Sequence, residues 1–120
     1  MSIRVVFESW LCLFFWMAVA LQATAQDSSE KLKFFETKIR PVLVEHCYEC
    51  HDASTNEFKG GLALDSRDGL LKGGDSGPAL VPEKPEDSLL IEAIKYGDLE
   101  MPPSGPLAES VVVDFEKWIR

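Results

Sequence analysis

Every cysteine and histidine beyond residue 25 falls within six consecutive positions, His46 to His51. That crowding narrows what the chain can be. A small disulfide-framework protein spreads several cysteines along its length, and a structural zinc site is usually assembled from two separated ligand pairs. Neither distribution is present. What remains is a local unit, Cys47-Tyr48-Glu49-Cys50-His51, whose parts act together.

The rest of the chain is small and acidic. With 120 residues it holds one domain at most. A net charge of −8 and a pI near 4.7 argue against a nucleic-acid binder, which needs a basic face. Residues 1–25 read as a secretory signal peptide: Arg4, an apolar run from Trp10 to Leu21, and the small-residue site Ala23-Thr24-Ala25. The run is 12 residues long, whereas a bilayer-spanning helix needs roughly 20. Cleavage after Ala25 and a periplasmic or secreted location are expected. Glu8 weakens the positive start, so an uncleaved anchor is the alternative. Cys12 lacks the small residues that precede a bacterial lipoprotein cysteine. Removal of the signal leaves 95 residues at the same charge, because Arg4 and Glu8 cancel. A chain this short often needs a staple, metal or cofactor to complete its core.

Residues 26–33 form a polar leader, and the domain spans 34–120. Phe35, Ile39, Val42, Leu43 and Cys47 recur at helical spacing. Pro41 predicts a helical turn before it and a new helix from it into the cysteines. Glycine and proline turn signals fill 52–81; within them 62–64 and 79–81 are expected to pair as a short two-stranded β element around a turn of helix at 66–72. A helix is expected over 86–96 with Gly97 at its C-cap, and another from Ala108 onward with Val111, Val112, Phe115, Trp118 and Ile119 on one face. Between them lies a stiff loop, 97–106, with two glycines and three prolines. The fold class is all-α, with long irregular loops.

Cys47-x-x-Cys50-His51 has the spacing of c-type haem attachment. Residues three and four apart share one side of a helical turn, so both thiols can meet the vinyl groups on one haem edge while His51 turns its imidazole to the iron. Export agrees, because such attachment takes place beyond the cytoplasmic membrane. Zinc, a redox pair and a structural disulfide are the competing readings; the redox pair would call for a neighbouring βαβ pattern. Met101 is the single methionine after residue 25 and precedes Pro102-Pro103. A residue before proline is driven into extended backbone, which fixes the height of a flexible thioether. It is the expected second axial ligand. His46, beside Cys47, is the rival, expected to be exposed or edge-on. An imidazole–thioether pair leaves no open coordination position and suits electron transfer. Arg40, Arg67 and Lys72 are candidates to neutralise propionates, and Trp118 is expected in the core near the haem. Asp65, Asp68 and Asp75 do not match a calcium loop and read as a solvated face.

In their order along the chain these residues resemble the planctomycete-type cytochrome c domain, a single-haem c-type cytochrome family. The resemblance rests on Ile39-Arg40-Pro41-Val42-Leu43 leading to the cysteine motif, on Gly60-Gly61-Leu62-Ala63-Leu64-Asp65-Ser66-Arg67, and on Gly73-Gly74-Asp75-Ser76-Gly77-Pro78-Ala79-Leu80-Val81-Pro82. It continues through Pro85-Glu86-Asp87-Ser88-Leu89-Leu90, Met101-Pro102-Pro103 and Trp118-Ile119. It implies one covalently bound haem c, with Cys47 and Cys50 attached and His51 and Met101 as axial ligands to the iron. It also implies that such domains head longer chains. Three features depart from the family pattern. Glu83 stands where glycine is usual, Ala108 replaces a Ser or Thr helix cap, and the usual Gly-Ala-Pro continuation would lie beyond Arg120. The expected function is one-electron transfer by an exported carrier that is not itself an enzyme, with a redox partner bearing a basic docking patch. The alternatives are a haem-based sensor or catalytic domain of a larger secreted enzyme, and a haem-free module held by a Cys47–Cys50 disulfide. Nothing supplies a peroxidase's distal acid–base pair.

Overall fold

Pro41 cannot donate a backbone hydrogen bond, and the helix around it adjusts its register accordingly. In this computed structural model, which describes residues 26–55 and 58–120, Phe35–Ile39 forms a π turn. In it the Arg40 N–H reaches back five residues to the Phe35 carbonyl. Helix α1, Arg40–His46, follows at once with Pro41 in its first turn, where no N–H is needed. The signal peptide expected over 1–25 lies outside the described residues.

Contacts divide the chain into Met1–Lys33 and Phe34–Arg120. In the first unit, residues 26–33 are helical and exposed, with a Lys31–Asp27 ion pair one turn apart at 2.8 Å. The second unit carries the fold. After α1 come a 3₁₀ turn at Lys59–Gly61, helix α2 at Arg67–Lys72, a 3₁₀ turn at Pro85–Asp87, helix α3 at Leu89–Ile94 and helix α4 at Glu109–Ile119. No described helix is long and apolar enough to cross a membrane. The fold is all-α, as expected.

α2 starts where Ser66 accepts a hydrogen bond from the Gly69 N–H, at 3.1 Å. α4 starts at Ala108 without any side-chain cap. Ile39, Leu43, Leu70, Leu90, Ile91, Ile94, Val112, Phe115 and Ile119 meet in one buried cluster. α4 thus contributes Val112, Phe115 and Ile119 at helical spacing to the core, and leaves Val113 exposed. Trp118 packs on Phe35 with ring centres 5.5 Å apart, and edge-on against Phe115 at 6.1 Å. Ser88 is a buried polar residue; its hydroxyl donates to the Lys84 carbonyl at 2.8 Å and accepts from the Val81 N–H at 2.9 Å.

The expected β pair does not form. Among the described residues the one β-type contact is an isolated bridge between Gly74 and Gly77. The two extended segments spend their backbone groups elsewhere. The Leu64 N–H donates to the His51 carbonyl at 2.8 Å, and the Leu80 N–H to that of Leu70 at 3.1 Å. Glu83 adopts the left-handed backbone, φ 65°, that a glycine would take there without strain. Its N–H caps the carbonyl of Ile119 at 2.9 Å, which ties the glutamate to the end of α4.

Candidate functional site

α1 ends where the cysteine motif begins. The Leu43 carbonyl accepts from both the Cys47 and the Tyr48 N–H, each at 2.9 Å. The Cys50 and His51 N–H groups then both return to the Cys47 carbonyl, at 3.2 and 3.0 Å. This single helical turn brings Cys47, Cys50 and His51 to the wall of one cleft. Both thiols are free. Burial disfavours the thiolate of Cys47 and pushes its pKa up to about 11.

The imidazole of His51 is oriented by a group the sequence did not single out. Its Nδ1 lies 3.1 Å from the Lys59 carbonyl. A carbonyl can only accept, so Nδ1 carries the proton; in the neutral ring this leaves the lone pair on Nε2, the tautomer a metal-binding imidazole needs. The Lys59 N–H donates in turn to the Cys50 carbonyl at 2.9 Å. The 3₁₀ turn at Lys59–Gly61 is thereby tied to two residues of the motif.

Met101 reaches the same cleft from the loop after α3. Its N–H donates to the Ala93 carbonyl at 3.0 Å, and Met101 itself is 38% exposed, lining the cleft with Leu99, Pro102 and Pro103. α3 is shorter than the 86–96 expected, and Gly97 is not its left-handed cap. The Tyr96 N–H returns to Ala93 at 3.1 Å and the Gly97 N–H to Glu92 at 3.2 Å, the paired bonds of a Schellman ending. The left-handed residue of that ending is Tyr96, φ 58°. Its phenol O–H donates to the Pro102 carbonyl, next to Met101.

Leu62, Leu64, Ala79, Leu89, Leu90, Ala93 and Ile94 complete an apolar cleft with a cavity volume of about 260 Å³. Glycines shape its rim. A Cβ on Gly73, φ 73°, would sit 1.8 Å from the Gly77 carbonyl oxygen, and one on Gly74 would sit 2.3 Å from that of Gly60. Only glycine lets these backbones touch.

Lys59 and Asp75 are the lysine and carboxylate at the cleft wall. Arg40, Arg67 and Lys72, expected near propionates, do not line it; Arg40 pairs with Glu36 at 2.9 Å and lies over the Phe35 ring. Trp118 is also away from the cleft, because its ring is taken up by Phe35 and Phe115. His46 is half-buried on the same wall as Cys47, with Nε2 3.8 Å from a Glu45 carboxylate oxygen. Asp65 accepts from the Ala53 N–H at 3.1 Å. Among the described residues no three His, Cys, Asp or Glu side chains converge on a metal-ion site.

The residues present fit haem c: two free thiols and an imidazole with Nε2 available, a thioether on the facing loop, and an apolar lining. Sequence comparison points the same way. Residues 47–105 match the family model described as Planctomycete cytochrome C. No curated protein and no solved structure gives a match. The matched segment runs from the first cysteine of the motif past Met101 and includes most of the cleft wall. Over these residues the chain is similar to the planctomycete cytochrome c family.

Proposed function

We propose that the protein is an exported single-haem c-type cytochrome that carries one electron at a time. The observation that supports it most is the meeting, in one apolar cleft, of Cys47, Cys50 and His51 with the Met101 loop. Haem held there would supply an iron able to take up and release one electron. Cys47 and Cys50 would hold the macrocycle through thioethers. The Lys59 carbonyl orients the His51 ring so that Nε2 could bind the iron, and Met101 would hold it from the loop after α3. Imidazole and thioether together would favour the ferrous state more than two imidazoles, and would leave no position for a substrate. The aliphatic lining excludes water, which lowers the reorganisation that accompanies a change in iron charge. A net charge of −8 suits a partner with a basic docking patch and gives an association that weakens with salt. The periplasm or the cell exterior is the proposed location.

Optical spectra of the exported protein, made in a host with c-type haem maturation, test this. Sharp low-spin bands, unmoved when carbon monoxide meets the reduced protein, are expected. A carbon monoxide-sensitive spectrum would favour a sensor or catalytic domain. Absence of haem stain after denaturing electrophoresis would refute the cytochrome assignment.

A further inference from the structure

A tyrosine in left-handed backbone is an outlier that persists only where its surroundings hold it. Tyr96 occupies the position of the α3 ending where glycine is the usual residue, one place before the glycine the chain does have. Exchanging the two residues would remove the strain, so the ring at 96 needs another reason. Its hydroxyl donates to the Pro102 carbonyl. The Ala93 carbonyl, which accepts from the Tyr96 N–H at 3.1 Å, also accepts from the Met101 N–H at 3.0 Å. The backbone is therefore held on both sides of Met101 by one helix ending: by the Ala93 carbonyl before it and the Tyr96 phenol after it.

We propose that Tyr96 is a positioning residue for Met101: its hydroxyl sets the thioether against the iron, and the strained helix ending serves to aim that hydroxyl. This rests on Met101 being the second axial ligand. The hydroxyl lies far along the side chain and bonds to backbone, so it acts on the iron only through the loop. Without it, Met101 keeps its chemistry and its Ala93 bond but gains freedom to leave.

Imidazole titration of the ferric holoprotein, followed by its optical spectrum, tests this in three variants. Met101→Ala opens the iron to imidazole in the low-concentration range; an unchanged titration removes Met101 as ligand, and the proposal with it. Tyr96→Phe keeps the ring and loses one hydrogen bond, and it is expected to raise apparent imidazole affinity about three- to tenfold. The reduction potential should fall in the same variant. Tyr96→Asn, which tolerates left-handed backbone but cannot reach Pro102, is expected to match Tyr96→Phe, although its helix ending is relaxed. If Met101→Ala opens the iron while Tyr96→Phe titrates like the parent protein, Met101 remains the ligand and the role of Tyr96 is overturned.

Discussion

The two sides of the cleft are held in different ways. The Cys47–His51 turn is bonded to four backbone segments: the end of α1 through Leu43, its own turn through Cys47, the 3₁₀ turn through Lys59, and the extended segment through Leu64. Met101 depends on the end of one helix, through the Ala93 carbonyl and the Tyr96 phenol. The attachment side is rigid because Cys47, Cys50 and His51 each have both the backbone N–H and the carbonyl bonded. The loop side has fewer such ties, so the proposed Met101 ligation can be altered there without disturbing the wall.

Breaking the attachment side should have the largest effect. Replacing both Cys47 and Cys50 with serine is expected to abolish haem stain after denaturing electrophoresis, whereas Met101→Ala keeps it. On the loop side, Met101→Ala should instead make the reduced protein bind carbon monoxide and lower its potential, both read optically. If Met101→Ala also lost the stain, the two sides would not be independent.

Gly73→Ala attacks the turn that carries the cleft residues Gly74 and Gly77. A methyl group 1.8 Å from the Gly77 carbonyl oxygen, added to a left-handed backbone, is expected to cost about 3 kcal/mol or more in denaturant unfolding. Next in size is a pH effect confined to the haem-free chain. The Cys47 thiol, raised to about 11 in the fold from an ordinary 9.0, stays protonated there when the unfolded chain has ionised. Stability is therefore complete below pH 9 and declines as pH rises to 11, by about 2 kcal/mol. The holoprotein, whose thiol has become a thioether, should show no such decline in urea unfolding.

The smallest effect compares the two strained residues. Glu83→Gly relieves a left-handed glutamate whose side chain is exposed, and should raise the unfolding free energy by about 0.5–1 kcal/mol. Tyr96→Gly relieves the same backbone strain but loses the bond to Pro102, so it should give no comparable gain. Equal gains at both positions would mean that the phenol contributes nothing.

Much of the site was legible in order along the chain. Cys47, Cys50 and His51 declare their chemistry by spacing alone, because a helical turn places residues three and four apart on one side. Met101 stood out as one thioether before two prolines. α4 was readable from Val112, Phe115 and Ile119, since a long amphipathic helix repeats its signal over several turns. Short elements carry less signal, and there the folded chain decided. The segments 62–64 and 79–81 have strand-like residues, but long-range bonds to His51 and Leu70 outcompeted their pairing. Backbone partners are invisible in residue types, so nothing in the side chain of Lys59 announced that its carbonyl orients His51. Trp118 and Arg40 read as neighbours of the haem, yet each found a ring or carboxylate closer by. The sequence by itself singled out the groups proposed to carry the chemistry. The tertiary structure decided which backbone carbonyls and which strained tyrosine hold them in place, because those contacts join residues whose separation along the chain follows no local period.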